Sequence, residues 1–446
     1  MRQQEGAKKK FTGLLALTAI SAVALAGCTS GTDSEESAGT QSPTAEAVAI
    51  VLEYTGPAIE LSYWNGFTGG DGPFMQSMVE EFNASHDNIT IVNNTLPWGD
   101  MYSTLPTAVG AGEGPDVGAM HMDQLPTFAA RGLIVPLDDL VVTLGLTSDD
   151  FTPEVWDATL YDAARVGIPL DVHSLAMYYN TEHFEKAGIT AVPTNGAEFE
   201  AALIALQAAG YQNPFWMPNR WPSHLMTLSL TWQFGGSAWG ADGSSADFAS
   251  EAGVKALEWQ RSIIDKGFSP NDVAGDSQYI AFKNGENSIT WDGIWQINDL
   301  QGSEMPFGVA AIPMIGTEPG VWANAHNFFM TTQAAKDANK AQASKVFIAW
   351  MSEKSGDWAG SGMIPARDSV RTSGVLDGLP QGPVADQISA MRFLPAVPGI
   401  GGVQGATFEV AVSNGILGLE DIATALKAAQ DQANALLEEN RVQFGG

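Results

Sequence analysis

Cysteine occurs once, at position 28, in a chain of 446 residues. No disulfide can form within such a chain, and no cluster of thiolates can ligate a metal. Basic residues are scarce too: 21 Lys and Arg stand against 51 Asp and Glu, for a net charge of −30. Nucleic-acid binding is excluded on that ground, because a phosphate-binding face needs clustered positive charge. Beyond the first thirty positions no apolar run reaches the roughly 18 residues that a membrane span needs. Catalytic signatures are absent as well. There is no G-x-S-x-G, no Walker loop, and no G-x-G-x-x-G followed by a ribose-binding acid. The six histidines (86, 121, 173, 183, 224, 326) show neither H-x-x-x-H nor H-E-x-x-H spacing. Nothing in the sequence implies a resident cofactor or metal. Two enzyme-like or metal-like alternatives stay open: a surface glycoside hydrolase using a pair drawn from the abundant carboxylates, and a metal receptor built on the dispersed His121, His173 and His326.

What is present begins at the N-terminus. Lys8, Lys9 and Lys10 precede the apolar run 11–26, which ends in Leu25-Ala26-Gly27-Cys28. A positive segment, a short apolar segment and small residues before a cut form an export signal. The last four residues resemble the lipobox of bacterial lipoproteins, which implies cleavage before Cys28 and lipid attachment to its sulfur. The leader carries four positive charges and one negative, so its loss takes the net charge to about −33. Residues 29–57, rich in Ser, Thr, Gly and Glu, read as a flexible tether, with the folded chain starting near Ala58.

At 446 residues the chain is too long for one ordinary core and suggests two domains. From Ala58 onward strand-like and helical patterns alternate. "AIELSYW", "ITIVNNT" and "DVGAMHM" read as strands. Between them, "PFMQSMVEEFNA" and 101–111 read as helices, the first capped by Asp71 with Pro73 in its opening turn. This βαβαβ order predicts an α/β layer fold with a largely parallel sheet. A second series follows Asn180: helices over 196–209, 223–234 and 252–266, a strand at "PFWMP", a strand-to-helix corner at "TWDGIW", and further strands at "FGVAAIP" and "NFFMTT". Helix is expected from about 406 to 439.

The aromatic inventory is unusual. All 13 tryptophans follow residue 57, and many sit beside Gly, Asn or Asp, as in "YWNG", "LPWGD", "NRWPS", "SAWGAD", "TWDGIW" and "VWANAHN". A core tryptophan normally lies in a periodic apolar segment, as Trp259 and Trp350 do. Tryptophan at loop corners beside amides and carboxylates suits sugars, whose apolar C–H faces stack on rings while their rims need hydrogen bonds.

Several landmarks then occur in one order: "GEGPDV" (112–117), "GIPLDVHSLAMYYN" (167–180), "GENSITWDGIWQI" (285–297), "FGVAAIP" (307–313) and "GSGMIPARDSV" (360–370). In this order, and with a lipobox ahead of them, the chain resembles the extracellular solute-binding family that includes the maltose-binding proteins of ABC importers. The resemblance implies an α/β, two-lobed, periplasmic-binding-protein-like fold of type II, with crossing segments at a hinge and an interlobe ligand cleft. The implied lobes are 58–172 with 314–350, and 173–313 with 351–446, with crossings near 170–177, 312–315 and 351–367.

The resemblance also implies a function: a monomeric, lipid-anchored receptor on the outer face of the bacterial cytoplasmic membrane, passing a neutral mono- or oligosaccharide to a permease. Among the residues, Trp295 matches the family's sugar-stacking tryptophan. Trp291 is either its support or core. Asp292 is expected to cap the following helix, with Gly293 admitting a close approach of ligand. Asp123 matches an acidic residue that accepts sugar hydroxyls, or is a solvated cap. His173 stands where relatives carry a hinge glutamate, with Asp171 beside it. Asn65 matches the first strand–helix loop, but the acidic and basic pair that should follow is Phe67-Thr68 here, against maltodextrin specificity. Trp322, Asn324 and His326 face the cleft by analogy. Arg367 either donates to vicinal hydroxyls or pairs with a carboxylate across the lobes.

Overall fold

The computed structural model describes residues 52–444. The expected export signal, Cys28 and the expected tether up to residue 51 lie outside the described residues; the rest of that expected tether, 52–57, is instead packed on the folded chain, with Tyr54 buried and its carbonyl accepting from Asn88 Nδ2 at 2.8 Å. No helix among the described residues is long and apolar enough to cross a membrane.

Regular structure opens at the strand Ile59–Asn65, whose alternating buried residues Leu61 and Tyr63 face the core. The helix Gly72–Ser85 buries Met75, Met78, Val79 and Phe82, the i, i+3, i+4, i+7 stripe of an amphipathic helix. Strands Ile59–Asn65, Ile89–Thr95 and Val117–His121 pair in parallel, as the βαβαβ pattern requires. His326–Met330 then adds antiparallel to Val117–His121, and Ile168–Pro169 adds antiparallel to it, completing a five-stranded sheet.

A second sheet is built around Asp171–Asn180 and is mostly antiparallel, so the expectation of a largely parallel sheet holds for the first three strands only. Asp171–Asn180 is buried along nine of its ten residues, because four other strands flank it. Ile364–Pro365 and Val321–Asn324 pair with its start, Ile289–Gly293 and Phe307–Ala310 with its end. An antiparallel strand needs no crossover helix, and the intervening helices pack outside. Three of those helices match the expected spans to within a residue: Gly196–Ala208, Ser223–Gln233 and Glu251–Asp265. The segment "PFWMP" forms only a bridge from Phe215 to Ile289. The C-terminal helical region comprises Ile400–Ala406, Phe408–Leu417 and Ile422–Phe444.

Two connections between the sheets matter most for the site. The chain leaves the first sheet after Ile168–Pro169 and enters the second at Asp171, with Leu170 alone between them. It returns at Ala325, between Val321–Asn324 in the second sheet and His326–Met330 in the first. That return comes later than the 312–315 expected, because residues 321–324 still pair with His173 and Ser174. The two crossings run side by side, held by the Leu170 N–H donating to the His326 carbonyl at 2.8 Å. A third segment joins them where the Ala366 N–H donates to the Leu170 carbonyl at 3.2 Å.

Candidate functional site

A cleft of about 1350 Å³ lies over these crossings, lined from both sheets. The first side contributes the loop 68–71, Trp98, Tyr102 and His121. The second contributes Trp221, Asp276, Tyr279, Lys283, Trp295 and Asp299, and the crossing strands contribute His173, Trp322 and His326. Four tryptophans therefore face one cavity. Trp295 is their hub: its ring centroid lies 6.0 Å from that of Trp221, 6.2 Å edge-on from Trp322 and 5.8 Å from His173. Trp221, at 40%, is the one exposed residue among the four tryptophans.

The corner that holds Trp295 is made by a strand that ends abruptly. Ile289–Gly293 pairs with Asp171–Asn180 up to Gly293, and a single 3-10 turn, Ile294–Gln296, follows. Gly293 has an ordinary φ of −78°, so left-handed freedom does not explain the glycine. A side chain there would lie 2.0–2.2 Å from atoms of the Trp295 ring. Glycine is needed because the Trp295 indole folds back over it. The Trp295 carbonyl accepts from Gly70 N–H at 3.1 Å, tying the two sides of the cleft together.

At the floor, Asp171 is fully buried and shared. It accepts from His173 Nδ1 at 3.1 Å, from His326 Nδ1 at 2.9 Å, from the His326 backbone N–H at 3.2 Å and from Trp358 Nε1 at 2.7 Å. Burial alone would raise its pKa, but His326 and these donors outweigh it and hold the carboxyl well below its usual range. Burial, then His326, pushes His173 down to about 4, and burial also lowers His121. On the first-sheet side Asp71 is 4% exposed, and its burial pushes it up to about 7. Asp299 goes the other way: burial raises it, but Lys283 and Tyr279, each at 2.6 Å, outweigh that.

Of the residues singled out from sequence, Trp295, Trp322, His173 and His326 line the cleft. The others do not, for distinct reasons. Trp291 lies in the core of the second sheet's side, stacked at 5.6 Å on Trp259 and packed on Phe199 and Phe215. Asp292 belongs to the strand and caps no helix; it is buried, accepting from its neighbour's Gly293 N–H at 2.8 Å and from Gln278 Nε2 at 3.2 Å. Asn65 shapes the loop behind the cleft: its Oδ1 accepts from Phe67 N–H and Thr95 Oγ1, both at 3.2 Å. Asp123 and Asn324 are buried together, with Asn324 Nδ2 donating at 2.7 Å, so Asp123 is neither a cap nor a lining residue. Asp171 acts through His173 and His326. Arg367 pairs with Asp150 at 2.8 Å, away from the cavity.

Trp98, Tyr102, Trp221, Asp276, Tyr279, Lys283 and Asp299 line the cleft and were not singled out. Trp98 and Trp221 did carry a signal, in the loop motifs "LPWGD" and "NRWPS". The polar residues carried none, since exposed Asp and Lys look alike in sequence.

The family model for bacterial extracellular solute-binding proteins matches residues 68–357. A Brucella abortus protein whose name says only that it binds is 25% identical over 395 residues, 84% of this chain and 92% of that one. The maltotriose-binding protein of Pyrococcus abyssi is 24% identical over 259 residues, 56% of this chain and 53% of its own. Among solved structures, the GacH receptor of Streptomyces glaucescens, studied unliganded and with acarbose, shares the fold with a TM-score of 0.76 at 20% identity, covering 86% of this chain and 99% of that one.

Proposed function

The chain belongs to the bacterial extracellular solute-binding proteins, and on that premise we propose that its cleft captures a neutral oligosaccharide for an ABC permease. Solute-binding proteins bind without chemistry, so no reaction is assigned. The observation that carries the reading is the convergence of Trp98, Trp221, Trp295 and Trp322 on one cavity with hydrogen-bonding edges between them. Sugars need that combination of flat apolar faces and polar rims. The cavity of about 1350 Å³ exceeds the roughly 300–1,000 Å³ of ordinary small-ligand pockets, which favours more than one sugar ring. Relatives named for maltotriose and arabinooligosaccharide support the same class.

Charge narrows the class further. Lys283 is the one Lys or Arg among the lining residues, and it is engaged by Asp299, while Asp71 and Asp276 also line the cleft. Added to a net charge of −30, this field opposes anionic ligands such as uronates and phosphates. The lobe division in this reading follows the two sheets, with the chain changing lobe at Leu170 and Ala325. Hinge closure about those crossings would present a surface to the permease. Lipid on Cys28 and the acidic tether would keep the receptor at the outer face of the cytoplasmic membrane.

The test is calorimetric titration of the protein against a panel of neutral mono- and oligosaccharides, with uronates, amino acids and polyamines alongside. Saturable binding of a neutral oligosaccharide and no new reducing ends is the expected result. A response confined to the non-sugar ligands would overturn the reading.

A further inference from the structure

Three histidines far apart in sequence meet at the cleft floor. His121 ends the strand Val117–His121, and His326 pairs opposite it. His173 lies on the neighbouring crossing strand, opposite Asn324. Ring centroids are 4.1 Å apart for His173 and His326, 4.8 Å for His121 and His326, and 5.4 Å for His121 and His173. One ring nitrogen from each lies within 4.8 Å of those of the other two.

The partners of these rings are asymmetric in a useful way. Every Nδ1 is engaged by the protein: His121 by Tyr102 Oη at 2.6 Å, His173 by Asp171 Oδ1 at 3.1 Å, His326 by Asp171 Oδ2 at 2.9 Å. No Nε2 of the three has a hydrogen-bond partner among the described residues, and all three side chains line the cavity. A carboxylate that accepts from Nδ1–H fixes the tautomer with the lone pair on Nε2, which is how metal-ligating imidazoles are oriented. Lys283 and Asp299 hold each other at 2.6 Å, so the lining's one ammonium is occupied. Trp98, stacked on His326 at 5.1 Å, and Trp322 and Trp295 beside His173 supply an apolar surround.

We propose that His121, His173 and His326 bind a divalent transition-metal ion of the zinc class, with Asp171 and Tyr102 orienting the imidazoles from behind. Imidazole nitrogen is the ligand type that suits zinc, copper, cobalt and nickel, and it disfavours calcium and magnesium. Three protein ligands leave a coordination position open. Zinc–nitrogen bonds of about 2.0–2.1 Å put tetrahedral ligand nitrogens roughly 3.3 Å apart, so the rings must turn and draw in to bring their Nε2 atoms to that spacing. The stacked His173 and His326 rings, 25° from parallel, tilt toward each other in doing so. The open position faces the tryptophan-lined cavity, where a hydroxyl oxygen of the captured ligand would complete the shell; that last step rests on the carbohydrate reading, and metal binding does not.

The test uses tag-free, full-length protein stripped with a chelator, titrated with Co²⁺ by visible absorption and with Zn²⁺ by calorimetry. One ion per chain and the intense visible bands of tetrahedral Co²⁺ are expected. His121→Ala and His326→Ala should each weaken Zn²⁺ binding by about 100-fold or more, and Asp171→Asn by roughly 10–100-fold. Zn²⁺ should also raise the thermal midpoint of the parent protein, a readout that needs no variant. Absence of the cobalt bands, together with Zn²⁺ affinity equal to that of the His121→Ala/His173→Ala/His326→Ala protein, overturns the metal site. Glycan titrations with and without chelator separate the two readings. Glycan binding undiminished by chelator, without the cobalt bands, removes the metal and leaves the sugar receptor. Metal binding with no glycan response removes the sugar and leaves the metal.

Discussion

Truncating Trp295 and Trp291 separately should divide affinity from stability between two tryptophans only four residues apart. Trp295 is half-buried and lines the cleft, whereas Trp291 is 0% exposed and lies in the aromatic cluster of Trp259, Phe199 and Phe215. A tryptophan buries about 150–250 Å² in a full contact, so one indole face against a sugar removes roughly 100 Å² from water. At about 25 cal/mol/Å² that is ~2.5 kcal/mol, or a Kd weakened by roughly 70-fold in Trp295→Ala. Little stability should be lost with it, because that face looks into the cavity. Trp291→Ala instead leaves a cavity in a closed core, at a cost of about 3–5 kcal/mol. With unfolding entropies near 2 cal/mol/K per residue, a chain of this size should show a drop in thermal midpoint of roughly 4–6 °C. Its folded fraction should bind with unchanged Kd. Calorimetric titration and thermal unfolding on both variants decide the matter. Full affinity in Trp295→Ala, or weakened binding with an unchanged midpoint in Trp291→Ala, would refute the assignment of the two rings.

Other substitutions probe the same region. Gly293→Ala puts a methyl group within 2.0–2.2 Å of the Trp295 ring while the backbone stays in a region alanine accepts; affinity should fall by roughly 10–100-fold with little change in thermal midpoint, as for loss of the indole. Asp171→Asn removes a buried charge that four donors share. A loss of about 3–5 kcal/mol is expected, read as a lowered midpoint at neutral pH. Asp292 is pushed up to about 7, first by burial and then by Asp276. An unfolded aspartate titrates near 4. Between about pH 4 and 7 the folded chain keeps a proton that the unfolded chain has lost, so this group destabilises increasingly as pH rises and levels off above 7. His121 and His173, held below their usual range, act in the opposite direction as pH rises. The variant-minus-parent difference isolates the carboxyl: Asp292→Asn should gain on the parent by up to about 4 kcal/mol between pH 4.5 and 8. A difference independent of pH would show that Asp292 ionises freely where it lies.

Much of the fold was legible because its signals are local. Met75, Met78, Val79 and Phe82 repeat at helical spacing, and the βαβαβ alternation that follows Ala58 appears as three parallel strands. Asp292 misled for a local reason too. An Asp-Gly pair ahead of an amphipathic stretch looks like a helix cap, but the ladder with Leu175 and Ala176 carries the strand through Gly293. Asp123 was chosen for chemistry that suits a sugar and is satisfied by Asn324 instead, while Arg367, for which a sugar and a carboxylate partner were both open, pairs with Asp150. No spacing rule distinguishes a carboxylate waiting for ligand from one already paired at a sequence separation of two hundred residues.

The sequence by itself determined the class of molecule: an exported, acidic, cysteine-poor α/β chain with tryptophans at its corners and landmarks in the order of the solute-binding family. Those properties reside in composition, periodicity and short motifs, which need no neighbours to be read. Which tryptophans share a cavity was decided only in three dimensions. Strand pairing turns Trp291 into the core, the reversal at Gly293 turns Trp295 over the cleft, and Trp98 and Trp221 arrive from loops the chain does not connect directly. The histidines make the point most sharply. Dispersed along the sequence, they converge because two crossing strands, passing at Leu170 and Ala325, lie side by side, and a convergence of that kind belongs to the register of the sheets.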